Sequence, residues 1–386
     1  MSKFSMLAPC MFGVEGILAD ELKRLDVKNV VGENGRVFFE GDENTLATAN
    51  MFSRTAERIL IVVGRFNAIT FEDLFQSVKR INWEDFIGKD DAFPVTGYSI
   101  NSALHSVPDC QSIIKKAVVE RLKKSYRVDW FKETGPIHKI RFSIQKDNVV
   151  VSIDSSGEGL HKRGYRAHSL EAPIKETLAA AMCYQARIFP DTLLYDPFCG
   201  SGTILVEAAL IAKNIAPGLK RNFSAERFGE RYKNAFADAR VRALDIVKRN
   251  IEFRGIGTDI AKNAVDLTLE NAKKAGVGEL ITASVRDISD FNITEDRAIV
   301  ITNPPYGERL LDIKQAEELY KIMGKVMPRE RGKKYFIICP NDDFESRFGR
   351  PADKRRKLYN GMIKCQLYSY FKSDFKERKD EIHFYY

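Results

Sequence analysis

Between residues 193 and 339, five short apolar runs recur at 193–196, 256–259, 280–285, 298–302 and 335–339, with helical stretches between them. Runs of strand length separated by intervals of helix length predict a parallel α/β sheet, because neighbouring parallel strands are joined through a crossover long enough to hold a helix. Nearer the end, 357–368 places Asn360-Gly361 between two apolar-alternating runs. That dipeptide marks a tight hairpin, so antiparallel strands are expected at one sheet edge. Ligands of such sheets bind at the carboxyl ends of the strands, which makes the end of each run the place to look for chemistry.

The first run ends Asp196-Pro-Phe-Cys-Gly-Ser-Gly-Thr203 and continues into an apolar helix. Gly200 and Gly202 permit unusual φ angles and let a ligand approach the backbone. No Lys-Ser/Thr pair closes the loop, so it is not a P-loop. A dinucleotide site wants a third glycine where Leu205 stands, and Asp196 would meet a pyrophosphate with like charge. An acidic turn suits a cationic ligand instead, one presenting an amine and a sulfonium: S-adenosylmethionine (SAM). Asp196 would orient the methionine amino group through water, with Gly200 and Gly202 clearing space. The second run ends in Asp259, placed to accept both ribose hydroxyls, and the third leads into Asp287, placed to accept from the adenine amine. An acid at such a position also serves simply to cap the next helix. Three of them in succession around one sheet mouth favour a site.

The fourth run leads into Thr302-Asn-Pro-Pro-Tyr306. Two prolines fix two φ angles and remove two donors, so the strand must stop in a rigid elbow. The Asn303 side-chain oxygen and the Pro304 carbonyl can then face one point, two acceptors for an amine with two hydrogens. Pro305 completes the elbow, and Tyr306 offers a face for base stacking. An aromatic amine is a weak nucleophile because its lone pair is delocalised into the ring. Two acceptors favour a pyramidal nitrogen, and in-line placement beside a methyl sulfonium adds the advantage of proximity. Nothing in the elbow separates guanine from adenine. No metal is required, and none is expected.

The chain has 386 residues, 44% of them hydrophobic and 11% aromatic, ample for more than one packed core. The net charge of +8 is compatible with a polyanionic partner. Six cysteines stand without a C-x-x-C pair, and no run of 18 apolar residues occurs. Free thiols, a cytoplasmic location and no membrane partner are expected. Strands and helices are mixed over 1–155 in an α+β pattern. A basic amphipathic helix spans 106–126, with Ile113, Ile114, Ala117, Val118 and Leu122 on one face and Lys115, Lys116, Lys123 and Lys124 on the other.

Together Asp196-Pro-Phe-Cys-Gly-Ser-Gly-Thr203, Asp259, Asp287 and Asn303-Pro-Pro-Tyr306 resemble a class I SAM-dependent methyltransferase of the amino-methylating type. Leu160-His-Lys-Arg-Gly-Tyr-Arg166, Glu171-Ala-Pro-Ile-Lys-Glu176 and the extension Gly307-Glu-Arg-Leu310 resemble, more narrowly, THUMP-containing RNA methyltransferases acting on guanine N2 of bacterial large-subunit ribosomal RNA. The resemblance implies an α/β fold with a Rossmann-like seven-stranded methyltransferase sheet at 158–386. Ahead of it, an α+β region would comprise a ferredoxin-like lobe at 1–55 and a THUMP RNA-binding domain at 56–157. It implies SAM as cofactor and 23S ribosomal RNA, or a ribosomal precursor particle, as partner. Carried over, Asn303, Pro304, Pro305 and Tyr306 are the catalytic elbow. Asp196, Phe198, Gly200, Gly202, Asp259, Ile260, Asp287, Ile288 and Asn303 bind cofactor, together with Glu171, Ala172 and Pro173 ahead of the first sheet strand. Arg163, Tyr165 and Arg166 either join this set or tie the linker to the domain. The interval from Gly202 to Asp259 either helps to cover substrate or is a plain helical cover. Three rivals stand beside this reading: an N6-adenine methyltransferase, a catalytically silent ribosome assembly factor and, last, a nicotinamide dehydrogenase.

Overall fold

A computed structural model describes residues 3–166, 174–306 and 313–371. Its elements begin with β1 (Phe4–Pro9), α1 (Glu15–Arg24), β2 (Lys28–Glu33), β3 (Arg36–Gly41), α2 (Glu43–Phe52), β4 (Leu60–Asn67), α3 (Phe71–Lys79), β5 (Val95–Ile100), α4 (Val107–Tyr126), β6 (Ile140–Gln145) and β7 (Asn148–Asp154). Then follow α5 (Glu176–Ala186), β8 (Leu193–Asp196), α6 (Thr203–Ala212), α7 (Glu230–Asp245), β9 (Arg254–Asp259), α8 (Lys262–Ala275), β10 (Ile281–Val285), β11 (Ala298–Thr302), α9 (Ile313–Val326), β12 (Lys333–Cys339), α10 (Phe344–Phe348), β13 (Lys354–Asn360) and β14 (Ile363–Tyr370). The chain divides into two compact units. The first comprises 1–10, 18–160 and 216–245; the second comprises 11–17, 161–215 and 246–386.

In the first unit one seven-stranded sheet runs in the order β2-β3-β1-β4-β7-β6-β5. All its pairs are antiparallel except β5 with β6. β4 pairs with β1 through Leu60 and Ile61 and with β7 along its length, so the two halves of the α+β region share a single sheet. α4 buries Ile114, Ala117, Val118 and Leu122 of the face its spacing predicts, and half-buries Ile113. Of its lysines, Lys115 pairs with Glu133 at 2.6 Å and lies over the Phe93 ring, and Lys116 lies over the Phe75 ring. Of the interval from Gly202 to Asp259, read above as substrate cover or plain helical cover, the part 216–245 lies in this unit and covers α2. Arg242 donates to Thr48 Oγ1 at 2.6 Å and lies over the Phe52 ring, while Arg231 pairs with Glu43 at 3.2 Å. Gly218 donates to the Met51 carbonyl at 2.9 Å, and a Cβ there would stand 2.8 Å from Met51 Cα, so only glycine allows this approach.

The second unit holds the expected α/β sheet, in the order β10-β9-β8-β11-β12-β14-β13. β10 through β12 are parallel neighbours, and β14 and β13 add the antiparallel edge. The hairpin turn is centred one residue later than Asn360-Gly361 suggests. Asn360 pairs with Ile363, leaving Gly361 (φ +65°) and Met362 as the central pair. From β8 the chain steps outward to β9 and β10, then returns to the other side of β8 with β11. The junction of β8 and β11 is therefore the topological switch point, where a crevice opens at the carboxyl edge. All six cysteines are buried, and none forms a disulfide among the described residues. Among the described residues no helix is long and apolar enough to cross a membrane.

Candidate active site and cofactor cavity

β8 places Asp196 at the switch point, 2% exposed. Its Oδ1 accepts from Thr302 Oγ1 of β11 at 2.7 Å and from the Phe198 amide at 3.2 Å. Both bonds fall on one oxygen, so Oδ2 remains for a ligand. Burial pushes the carboxyl up to about 7, although the hydroxyl and amide donors favour its charged form. Such a group is costly to ionise alone and gains from a cation beside it. Gly200 (φ +53°) and Gly202 (φ +75°) then turn the chain into α6. A Cβ on Gly200 would meet nothing within 4 Å, whereas one on Gly202 would stand 2.8 Å from Thr268 Cγ2. Gly200 keeps space open; Gly202 is required by packing.

Asp259, at the end of β9, accepts from the Gly200 amide at 3.0 Å and from the Ala261 amide at 3.0 Å. It thus braces the glycine turn and the entry to α8, and each oxygen keeps a lone pair for a further donor. Asp287 is exposed and accepts from the Ser289 amide at 2.8 Å and its hydroxyl at 2.7 Å, which hold its carboxyl below the usual range. At the end of β11, Asn303 Oδ1 is buried and, among the described residues, has no hydrogen-bond partner. A buried amide oxygen without a donor is unfavourable unless a ligand supplies one. The Tyr306 hydroxyl accepts from Asn360 Nδ2 at 3.0 Å.

These strand ends line one cavity of about 630 Å³, within the range that takes a nucleotide-sized ligand. Asp196, Phe198, Gly200, Asp259, Ile260, Asp287, Ile288, Asn303, Pro304, Pro305 and Tyr306 all face it. Ile260 is 72% exposed and stands with Phe198 and Ile288 as an apolar wall, suited to the faces of a flat ring. The acceptor carboxylates and the apolar wall fit the chemistry of SAM, which presents a cationic amine, ribose hydroxyls and a flat base. Gly202 is set back from the lining. Glu171, Ala172 and Pro173 lie outside the described residues, but their neighbour Ile174 lines the cavity.

Arg163, Tyr165 and Arg166 form ties. Arg166 donates to the Ile174 carbonyl at 3.0 Å and to Thr203 Oγ1 at 2.9 Å, joining the segment before α5 to the glycine turn. Tyr165 donates to the buried Glu207 carboxylate at 3.0 Å, with the Arg163 guanidinium 3.5 Å from it. Sequence reasoning missed Thr302, Arg286 and Asn263. Only Thr302 carried a local signal, its place directly before Asn303.

Residues 163–369 match the family described as the RMKL-like methyltransferase domain. The chain belongs to that methyltransferase family. Residues 5–60 match the RlmL ferredoxin-like domain and 68–154 the THUMP domain. A Bacillus subtilis protein named "Putative RNA methyltransferase YpsC" is 42% identical, over 98% of this chain and 99% of its own. A Shewanella frigidimarina protein named ribosomal RNA large subunit methyltransferase K/L is 33% identical over 95% of this chain; the match spans about half (52%) of that relative. Among solved structures, a "putative methyltransferase", SMU.472, complexed with SAH superposes with a TM-score of 0.91 at 39% identity, covering 97% of this chain and all of that one. A Listeria monocytogenes protein described as a predicted N6-adenine-specific DNA methylase superposes at 0.89 with 43% identity, covering 96% and 97%.

Proposed function

We propose that this protein is a SAM-dependent RNA methyltransferase that methylates the exocyclic N2 amine of a guanine in large-subunit ribosomal RNA. The observation that carries the reading is the buried Asn303 Oδ1, without a partner among the described residues and held on the Pro304-Pro305 elbow in the cavity that three acids share. When bound, SAM supplies an electrophilic methyl on a sulfonium. Asp196 and Asp259 would hold its amine and ribose ends, and the Phe198, Ile260 and Ile288 side chains would enclose the adenine. Asn303 accepts one amine hydrogen and the Pro304 carbonyl the other, which aims the nitrogen lone pair at the methyl. With SAM bound, the amine nitrogen would take the methyl as the sulfonium S–C bond breaks, and the amine proton would pass to water. Tyr306, braced by Asn360, stacks on the target base, which must leave its helix at a cost of a few kcal/mol.

The RNA substrate is supported by the THUMP match and by the names of the Bacillus and Shewanella relatives. The domain assignment proposed with it is 1–55 ferredoxin-like, 56–157 THUMP-like and 158–386 catalytic. An N6-adenine reading is favoured by the name of the Listeria structure, and the same elbow would hold either amine. Labelled SAM, incubated with ribosomal RNA from cells lacking the gene and followed by nucleoside digestion and mass spectrometry, separates them. N2-methylguanosine is expected. N6-methyladenosine would keep the elbow chemistry and replace the substrate.

A further inference from the structure

The cofactor half of the carboxyl edge is built by β8, β9 and β10. The other half, beyond the β11 elbow, carries further side chains that the methyl transfer does not use. β14 runs antiparallel to both β12 and β13, so β13 runs parallel to β11 and ends at the same edge as Thr302. That end is the hairpin tip. Asn360 there bonds to Tyr306, which makes the tip continuous with the elbow.

The residues around the tip share one chemistry. Met362 is 96% exposed and Phe12 is 52% exposed. The Phe12 ring meets Tyr359 edge-on at 6.0 Å between centroids, and Lys357 Nζ stands 5.4 Å from the Tyr359 centroid. Lys364 is the direct ladder partner of Tyr359, so the two side chains share a face. Among the described residues neither Lys357 nor Lys364 pairs with a carboxylate, while neighbouring Arg355 pairs with Glu345 and Arg356 donates to the Gly13 carbonyl. The loop bearing Phe12 is pressed against β13: Gly13 has φ +89°, and a Cβ there would stand 2.2 Å from the Lys357 carbonyl oxygen.

Solvated apolar side chains beside unpaired ammonium groups suit a partner that offers both phosphates and open base faces. A duplex hides its base faces, whereas a single strand presents them. We propose that the β13–β14 tip together with Phe12 docks the single-stranded nucleotides flanking the target base, with phosphates at Lys357 and Lys364 and a base against Phe12 and Met362. This rests on the RNA reading above. It adds a surface to that reading, one that would set which neighbouring sequence is accepted.

The test uses the full chain with ribosomal RNA as substrate, reading KM for RNA, kcat, SAM affinity and the salt dependence of RNA binding. Lys357→Ala/Lys364→Ala is expected to raise KM about tenfold and to reduce the log–log salt slope by about 1.4, near 0.7 per phosphate contact for a single strand. Phe12→Ala/Met362→Ala is expected to raise KM by a similar factor with the slope unchanged. In both, kcat stays within about twofold and SAM affinity is unaltered. Wild-type methylation of RNA with unchanged KM in both variants would overturn the surface. Absence of RNA methylation by the wild type, with SAM bound, would overturn the RNA reading itself.

Discussion

Replacing Asp196 by Asn should stabilise the cofactor-free second unit at neutral and alkaline pH while weakening SAM binding. The unfolded chain ionises Asp196 near its ordinary 3.8, whereas burial moves the folded group to about 7. Between those values the folded state keeps a proton that the unfolded state has released. Stability from this residue is therefore intact below about pH 4, falls as pH rises, and is lost by about pH 7. About three pH units at roughly 1.4 kcal/mol each give a cost on the order of 4 kcal/mol. Asn can still accept from Thr302 and from the Phe198 amide, so the variant loses the charge and keeps the bonds. Both tryptophans, Trp83 and Trp130, lie in the first unit, so their fluorescence does not report this event. Native-state hydrogen exchange at Tyr195 and Val300, partners in the central ladder, does. The gap between variant and wild type should open by a few kcal/mol from pH 5 to 8. A gap that stays constant across that range would refute the assignment of a buried, neutralised carboxyl. In the wild type, SAM affinity should fall about tenfold per unit below pH 7, and Asp196→Asn should remove that dependence.

The two glycines of the turn should separate stability from binding. Gly202→Ala forces a Cβ to 2.8 Å from Thr268 at φ +75° and should lower unfolding stability by about 1–3 kcal/mol, seen as a drop in Tm. Gly200→Ala meets no atom and should cost only about 1 kcal/mol of backbone strain, while its methyl intrudes on the cavity and weakens SAM in calorimetry. Asn360→Ala removes a part-buried hydrogen bond to Tyr306, worth about 1 kcal/mol. It should reduce kcat/KM for RNA about fivefold with SAM affinity intact, and an unchanged kcat/KM would show that Tyr306 needs no brace.

The catalytic-unit sheet was legible because its parallel strands are short apolar runs that each finish near a polar residue. Asp196, Asp259 and Asn303 mark those ends directly, and Asp287 follows two residues after β10. α2 was not legible. It is buried on nearly every side and carries no polar stripe from which a helical period could be read. β2 lacked a signal for the opposite reason, being exposed at four of its six residues and only half-buried at Val30 and Glu33. The destination of 216–245 depends on Arg242 reaching Thr48, across 194 positions of sequence, and no local pattern encodes that. The same holds at the site. Thr302 on Asp196, Arg166 on Thr203 and Asn360 on Tyr306 are tertiary pairings between residues 106, 37 and 54 positions apart.

The central claim is that Asn303 Oδ1 receives the target amine in a cavity whose acids hold the cofactor. Single-turnover methyl transfer by Asn303→Ala, measured beside its SAM affinity, tests this most directly. The account predicts a rate reduced by about a hundredfold or more with SAM affinity within about threefold of wild type. A transfer rate equal to wild type, with cofactor bound, would contradict it.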